Sequence, residues 1–188
     1  MKRCILSALL LLASAQAAAE KADAYKPTSI KCRSCDADGL AGTFAVAGGI
    51  ELTRGTLNIE ADHGRVEESP EGYQRILLQA APGGKVRFRQ KADGPSERWM
   101  EGEADRVEYD DRSATVKLFS NARVRRTLNG FQTEEAQGEY ISYDSRTEMF
   151  TMRNTNTGED RPGGGRNTIV IQSKRKAPAT AIAGTERP

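Results

Sequence analysis

The chain has 188 residues, with 28 Lys plus Arg against 26 Asp plus Glu. Lys2 and Arg3 sit in a leader-like start, so the remainder is balanced in charge, which excludes a general nucleic-acid binder with its basic excess. A lone histidine, His63, excludes most catalytic triads, His-rich zinc sites and histidine relays.

Met1-Lys2-Arg3, the apolar stretch from Ile5 to Ala13 and the small residues up to Ala19 form the charged, apolar and cleavage regions of a secretory signal. Residues 1–19 are predicted to be removed, with Ala17 as the alternative cleavage point, and the mature chain is exported. Cys4 precedes the apolar stretch, where a lipid-acceptor cysteine cannot stand. No later run reaches the ~20 apolar residues of a membrane-spanning helix.

Cys32 and Cys35 are the cysteines of the exported part. A CxxC pair there is a redox centre, half a zinc site or a local disulfide. A second ligand pair for zinc is missing, as is the strand-to-helix context that acidifies a redox thiol. A local disulfide or two idle thiols remain. Residues three apart on a strand are ~10 Å apart at ~3.3 Å per residue, so bonding them requires the chain to turn.

From Phe44 onward apolar residues alternate with polar ones: Phe44, Val46, Ile50 and Leu52; Leu57, Ile59 and Ala61; Ile76, Leu78 and Ala80; Val86 and Phe88; Met100, Gly102 and Ala104; Val107 and Tyr109. The pattern continues with Val116 and Leu118, Ala122, Val124 and Arg126, Ile141 and Tyr143, and Phe150 and Met152. Period two marks strands. Turn signals fall at Gly48-Gly49, Ser69 to Gly72, Pro82 to Gly84, Asp93 to Pro95, Asp110 to Ser113, Asn129-Gly130 and Asp144 to Thr147. The expectation is about a dozen short antiparallel strands in a sandwich, barrel or jelly roll, apolar on one face and charged on the other.

A hairpin-sized unit repeats. Ala104-Asp105-Arg106-Val107-Glu108-Tyr109 returns as Gly138-Glu139-Tyr140-Ile141-Ser142-Tyr143, and Val116 and Leu118 return as Phe150 and Met152. A fainter copy opens at Ala61-Asp62, and Gly49 to Gly55 resembles Asn121 to Arg126. Units that cannot bury their own apolar face stack into an elongated core.

Gly48-Gly49-Ile50-Glu51-Leu52-Thr53-Arg54-Gly55-Thr56-Leu57-Asn58-Ile59-Glu60-Ala61-Asp62, then Gly102 to Asp110, then Val116 to Val124 and the last repeat, are together similar to the OstA-like family of LptA-type lipopolysaccharide-transport proteins. The likeness spans roughly residues 27–152. It departs at Ser120, where the family usually has Gly, and at Cys32 and Cys35, which are not family features. The resemblance implies a periplasmic location and an antiparallel β jelly roll, twisted into an open V-shaped trough, that shelters acyl chains. The domain is expected over residues 20–153.

The inward parity gives the candidate lining: Ile30, Phe44, Val46, Ile50, Leu52, Leu57, Ile59, Ile76, Leu78, Val86, Phe88, Met100, Val107, Tyr109, Val116, Leu118, Val124, Ile141, Tyr143, Phe150 and Met152. By motif position Phe88 and Tyr109 match the family's lipid-facing aromatics. Alternation alone would fit a closed core. Lys85, Arg87, Arg89 and Arg98 are candidates for lipid phosphates, with a solvated outer face as the commoner reason for such spacing. Glu101, Glu103, Asp105, Glu134, Glu135 and Glu139 lack the spacing of an EF-hand calcium loop and are expected to face outward. No metal or cofactor is expected.

Residues 154–188 are basic overall. Arg161 to Arg166 has linker composition, 168–172 is a candidate strand, and Lys174 to Pro188 is expected to be disordered. Three functions compete: a lipopolysaccharide bridge, a structural or adhesive β-repeat module that binds no lipid, and an exported enzyme, for which no nucleophile–base pair or phosphate loop is present. For the first, the resemblance implies lipopolysaccharide as cargo and LptC-type and LptD-type jelly rolls as partners. Open edges at Thr28 to Lys31 and Met149 to Arg153 suggest head-to-tail self-association, unless residues 168–172 cover the latter edge.

Overall fold

The computed structural model describes residue 23 and residues 25–93 and 96–173. The predicted signal, the Gly94-Pro95 turn and the tail from Lys174 lie outside the described residues. Twelve strands follow in order: β1 (Ser29–Lys31), β2 (Ser34–Asp38), β3 (Thr43–Arg54), β4 (Leu57–Glu68), β5 (Gln74–Gln79), β6 (Val86–Lys91), β7 (Arg98–Ala104), β8 (Arg106–Asp110), β9 (Thr115–Leu128), β10 (Phe131–Asp144), β11 (Met149–Arg153) and β12 (Thr168–Ile171). All their pairings are antiparallel.

The four long strands change neighbours midway. β3 pairs with β2 through Thr43 to Ala47 and with β1 through Glu51 to Thr53. β4 pairs with β6 near its start and β5 near its end, β9 with β8 and then β7, and β10 with β12 and then β11. The continuous sheet therefore folds into two facing halves. One runs β1-β3-β4-β6-β7-β9-β10-β12, the other β2-β3-β4-β5-β8-β9-β10-β11.

The crease is built from bulges. In β3, Gly48 and Gly49 together oppose Asp62, and in β9, Ser120 and Asn121 together oppose Glu139. All four bulged residues have left-handed backbone, with φ of 83°, 82°, 62° and 53° in that order. Gly48-Gly49 is thus a kink inside a twelve-residue strand rather than the expected turn between two strands, because the flanking residues stay paired to β4 on both sides.

The internal repeat marks the same crease. Ala61-Asp62, Ala104-Asp105 and Gly138-Glu139 put a carboxylate where the chain passes from one half to the other. There Asp62 accepts the Ala81 N–H at 2.6 Å, and Asp105 accepts the Asn121 amide at 2.8 Å and a bond from Lys85. Each full copy continues into a hairpin of the second half, β8–β9 or β10–β11.

The inner faces of both halves meet in one cluster of twenty buried residues, at whose centre Leu52, Val86, Ala104, Leu118 and Ile141 are wholly enclosed. Outside this cluster, Phe119 and Tyr140 stack edge to face at 5.1 Å on the outer side of the second half. Arg106 lies over the Phe119 ring and the Gly158 backbone lies against Tyr140. The segment after β11 is a tied loop at this point: the Arg161 N–H donates to Asn154 Oδ1 at 2.8 Å, and Asn154 Nδ2 returns a bond to the Arg161 carbonyl at 2.9 Å. The chain then lays β12 on the first half of β10, while β11 keeps the edge of the second half.

Candidate functional site in the apolar interior

Every predicted lining residue except Phe44 belongs to the central cluster or packs against it. Burial falls away towards both strand edges. At the β1/β2 edge Phe44 is 40% exposed, and at the β11/β12 edge Ile169 and Ile171 are 63% and 71% exposed. Ile169 pairs with Ala136 and Ile171 with Glu134, the parity of β10 that faces Val124 and the interior. The apolar interior thus runs from edge to edge, closed at its centre and uncovered at its ends.

Ile169 and Ile171 are not in the sequence-based lining, since Ile169-Val170-Ile171 is a continuous apolar run that by itself assigns no inward parity. Val66 is also buried inside, on the opposite parity to Leu57, Ile59 and Ala61, because β4 crosses the crease between Ala61 and Gly64. Gly102 lies opposite Phe88, whose ring occupies the space a Gly102 side chain would fill: a Cβ there would stand 2.1 Å from Phe88 Cε1.

Among the candidate phosphate-binding residues, Lys85, Arg87 and Arg89 lie off the inward parity, whereas Arg98 shares it with Met100. Arg87 and Arg89 alternate with Val86 and Phe88 and so point outward, where they join lateral rows of opposite charges. Arg87 faces Glu103 at 3.8 Å, and Arg123 lies between Glu103 and Glu135 at 4.0 and 3.4 Å. In the next row Arg89 meets Glu101 at 3.2 Å, Glu101 meets Arg125 at 3.4 Å, and the Arg89 guanidinium stacks 3.9 Å over Trp99. Lys85 is bound to Asp105, and Arg98 donates to the Asp93 carbonyl. The Lys85 ammonium, with the Asn121 amide, holds the Asp105 carboxyl below the usual carboxylate range. Glu101, Glu103 and Glu135 are the acidic rungs of this ladder. Cross-strand pairs of opposite charge favour register, each by a fraction of ~1 kcal/mol.

Two inward arginines occupy equivalent places in the two bulged strands: Arg54 at the end of β3 and Arg126 near the end of β9. Arg54 crosses to the other half and meets Asp111 at 3.0 Å, with both side chains about nine-tenths buried. Asp111 also accepts the Gln74 N–H at 2.9 Å. Arg126 stays with Glu134 of its own half at 3.1 Å, lies 4.5 Å over the Phe150 ring and reaches the Glu148 carbonyl at 3.4 Å.

At the β1/β2 edge Cys32 and Cys35 form a disulfide across the corner between the two strands, with a Cα separation of 6.1 Å. The corner is a bend, which brings the two residues closer than a straight strand would. Cys32 packs against the central cluster, next in line to Ile30. The lone histidine, His63, is exposed, and its ring bonds the Gln79 side chain at 3.2 Å.

A long antiparallel sheet folded along bulges, with a continuous apolar interior, fits the jelly roll that the sequence resemblance implies. The family model described as "LptA/(LptD N-terminal domain) LPS transport protein" matches residues 29–149, and the chain belongs to that family. Among solved structures it is similar to LptH, described as the LptA homologous periplasmic component of the conserved lipopolysaccharide transport device from Pseudomonas aeruginosa. The identity is 18% and the TM-score 0.68, over 80% of this chain and 99% of that one. No curated protein sequence matches the chain.

Proposed function

We propose that the chain is a periplasmic bridge element that binds lipopolysaccharide, holds its acyl chains between the two half-sheets and passes it from inner to outer membrane. The observation that carries this reading is the apolar interior left uncovered at both strand edges. An acyl chain of about a dozen CH2 groups costs on the order of 10 kcal/mol in water at ~0.8 kcal/mol per group, so its carrier needs an unbroken apolar path. Edges that each end in exposed apolar side chains supply such a path once another jelly roll is stacked on them, whether a second copy, an LptC-type partner or an LptD-type partner. The chain itself performs no chemical step in this role. Export by cleavage after Ala19 is part of the same proposal.

Photo-crosslinking residues at positions 88 and 109 should capture lipopolysaccharide from cell envelopes, while the outward positions Arg87 and Glu108 should not. Equal capture at both parities would overturn the assignment. A structural β-repeat module remains the second reading, favoured by the close packing at the centre. Natively purified protein free of lipid A by mass spectrometry would select it.

A further inference from the structure

We propose that Asp23, Arg54 and Asp111 form a latch that holds the two half-sheets shut over the apolar interior when it is empty, and that lipid loads by parting them. The proposal rests on the lipid-binding reading above and adds how the interior is reached.

Three observations carry it. First, the buried Arg54–Asp111 pair joins the halves: Arg54 ends β3 at the tip of one half, and Asp111 follows β8 at the tip of the other. Second, the segment before β1 ties itself to both tips. The Asp23 carboxylate accepts the Thr56 N–H at 3.0 Å, the Thr56 hydroxyl at 2.5 Å and the Gln90 amide at 3.3 Å, while its backbone carbonyl accepts Arg54 Nε at 3.1 Å. A few residues on, the Thr28 hydroxyl donates to Gln74 Oε1 at 2.8 Å, and Gln74 is the residue whose N–H is held by Asp111. Third, Gly55 leaves the seat open: a Cβ there would stand 1.8 Å from Asp23 Oδ1.

The interior behind the latch is too tightly packed to admit a hydrocarbon chain without movement. Leu52, two residues before Arg54 and on the same face, is wholly enclosed. Among the described residues the equivalent arginine of the second bulged strand, Arg126, makes no comparable ion pair across the gap: its carboxylate partner, Glu134, lies in its own half, and its contacts across are the Phe150 ring at 4.5 Å and a carbonyl at 3.4 Å. The fastening is therefore asymmetric, firm near β3 and slack near β9. Parting the halves exchanges a buried ion pair for contact between acyl chains and the inner faces, so loaded and latched states compete.

The test uses the full mature chain with cysteines at Glu60 and Arg112, outward positions on the two halves, spin-labelled while the native disulfide stays oxidised. In the latched protein the two labels should give one short distance that lengthens when purified lipopolysaccharide is added. Asp111→Asn should lengthen or broaden it without lipid and speed lipopolysaccharide uptake roughly tenfold, a coupling of ordinary size. Asp23→Asn, which leaves the Arg54–Asp111 pair in place, should do the same to a smaller degree and keeps the test open if Asp111→Asn folds poorly. Distances unchanged by lipopolysaccharide that mass spectrometry shows to be bound would overturn the latch and leave the bridge reading standing. Failure of the wild-type protein to bind lipopolysaccharide would overturn the bridge reading and the latch with it.

Discussion

Ser120 holds in β9 the corner that Gly48 holds in β3: both are the first residue of a bulge that carries a strand across the crease, and both have left-handed backbone. At Gly48 the conformation costs nothing sterically, and a Cβ would stand 2.7 Å from Arg33 Cβ in the bend between β1 and β2. At Ser120 a side chain is forced into it, at a cost of ~1–2 kcal/mol. Ser120→Gly should therefore raise the unfolding free energy by about 0.5–1 kcal/mol once the greater freedom of Gly in the unfolded chain is subtracted. Gly48→Ala should lower it by ~1–2 kcal/mol or more. Urea denaturation of the three proteins checks both signs, and a destabilised Ser120→Gly would remove the strain argument.

The Gly102–Phe88 pair makes a second prediction about the interior. Gly102→Ala puts a methyl where the Phe88 ring lies, and because the ring is packed into the central cluster, moving it disturbs its neighbours. Overpacking of this kind costs ~1–3 kcal/mol. Phe88→Leu frees the space, so the double variant should be more stable than the sum of the two single losses predicts. An additive double-mutant cycle would show that the ring has room to shift.

Strand alternation made most of the interior legible, since inward parity depends only on side chains pointing to opposite faces in turn. Its failures fall at the crease and at the β11/β12 edge, where Ile169 and Ile171 join the inward parity and Glu134, expected to face outward, shares it. Val66 changes parity because β4 crosses the crease, and Gly48-Gly49 reads as a turn because left-handed glycines serve turns and bulges alike. The acidic residues at Asp62, Asp105 and Glu139 were visible as a repeat, but their position at the crossings follows from pairing between distant strands. Arg54 is a charge at an inward position after Ile50 and Leu52, which is a signal in itself. Its partner Asp111 lies far along the chain, and no local pattern connects them.

Asp105 gives the pH dependence. Its carboxyl is held below the ordinary range chiefly by the Lys85 ammonium, so the folded chain binds that proton less readily than the unfolded chain. The stability it contributes is complete above the unfolded value of about pH 4 and is lost as the pH falls through the lowered folded value. The pair is partly exposed, and after solvent screening it contributes no more than ~1 kcal/mol. Asp105→Asn should destabilise the protein at about pH 7 and lose that deficit in strong acid, flattening the acid limb of the stability profile. A deficit that persists unchanged at low pH would assign it to the Asn121 hydrogen bond and the crease geometry instead.

The disulfide at the β1/β2 corner should act locally. Closing a loop this short removes little unfolded-chain entropy, on the order of 2 kcal/mol in the loop-closure model. The strands it joins are short and largely exposed, each held to β3 and to nothing on its other side among the described residues. Cys32→Ser with Cys35→Ser should thus raise amide exchange in Ser29–Lys31 and Ser34–Asp38 while leaving the β9–β10 pairing protected. If end-to-end joining uses this edge, a frayed β1 and β2 offer a neighbour's strand a poorer template, and light scattering should show a smaller oligomer at equal concentration. Increased exchange with unchanged association would place the joining surface away from this edge. Unchanged exchange would show that pairing to β3 alone holds the corner.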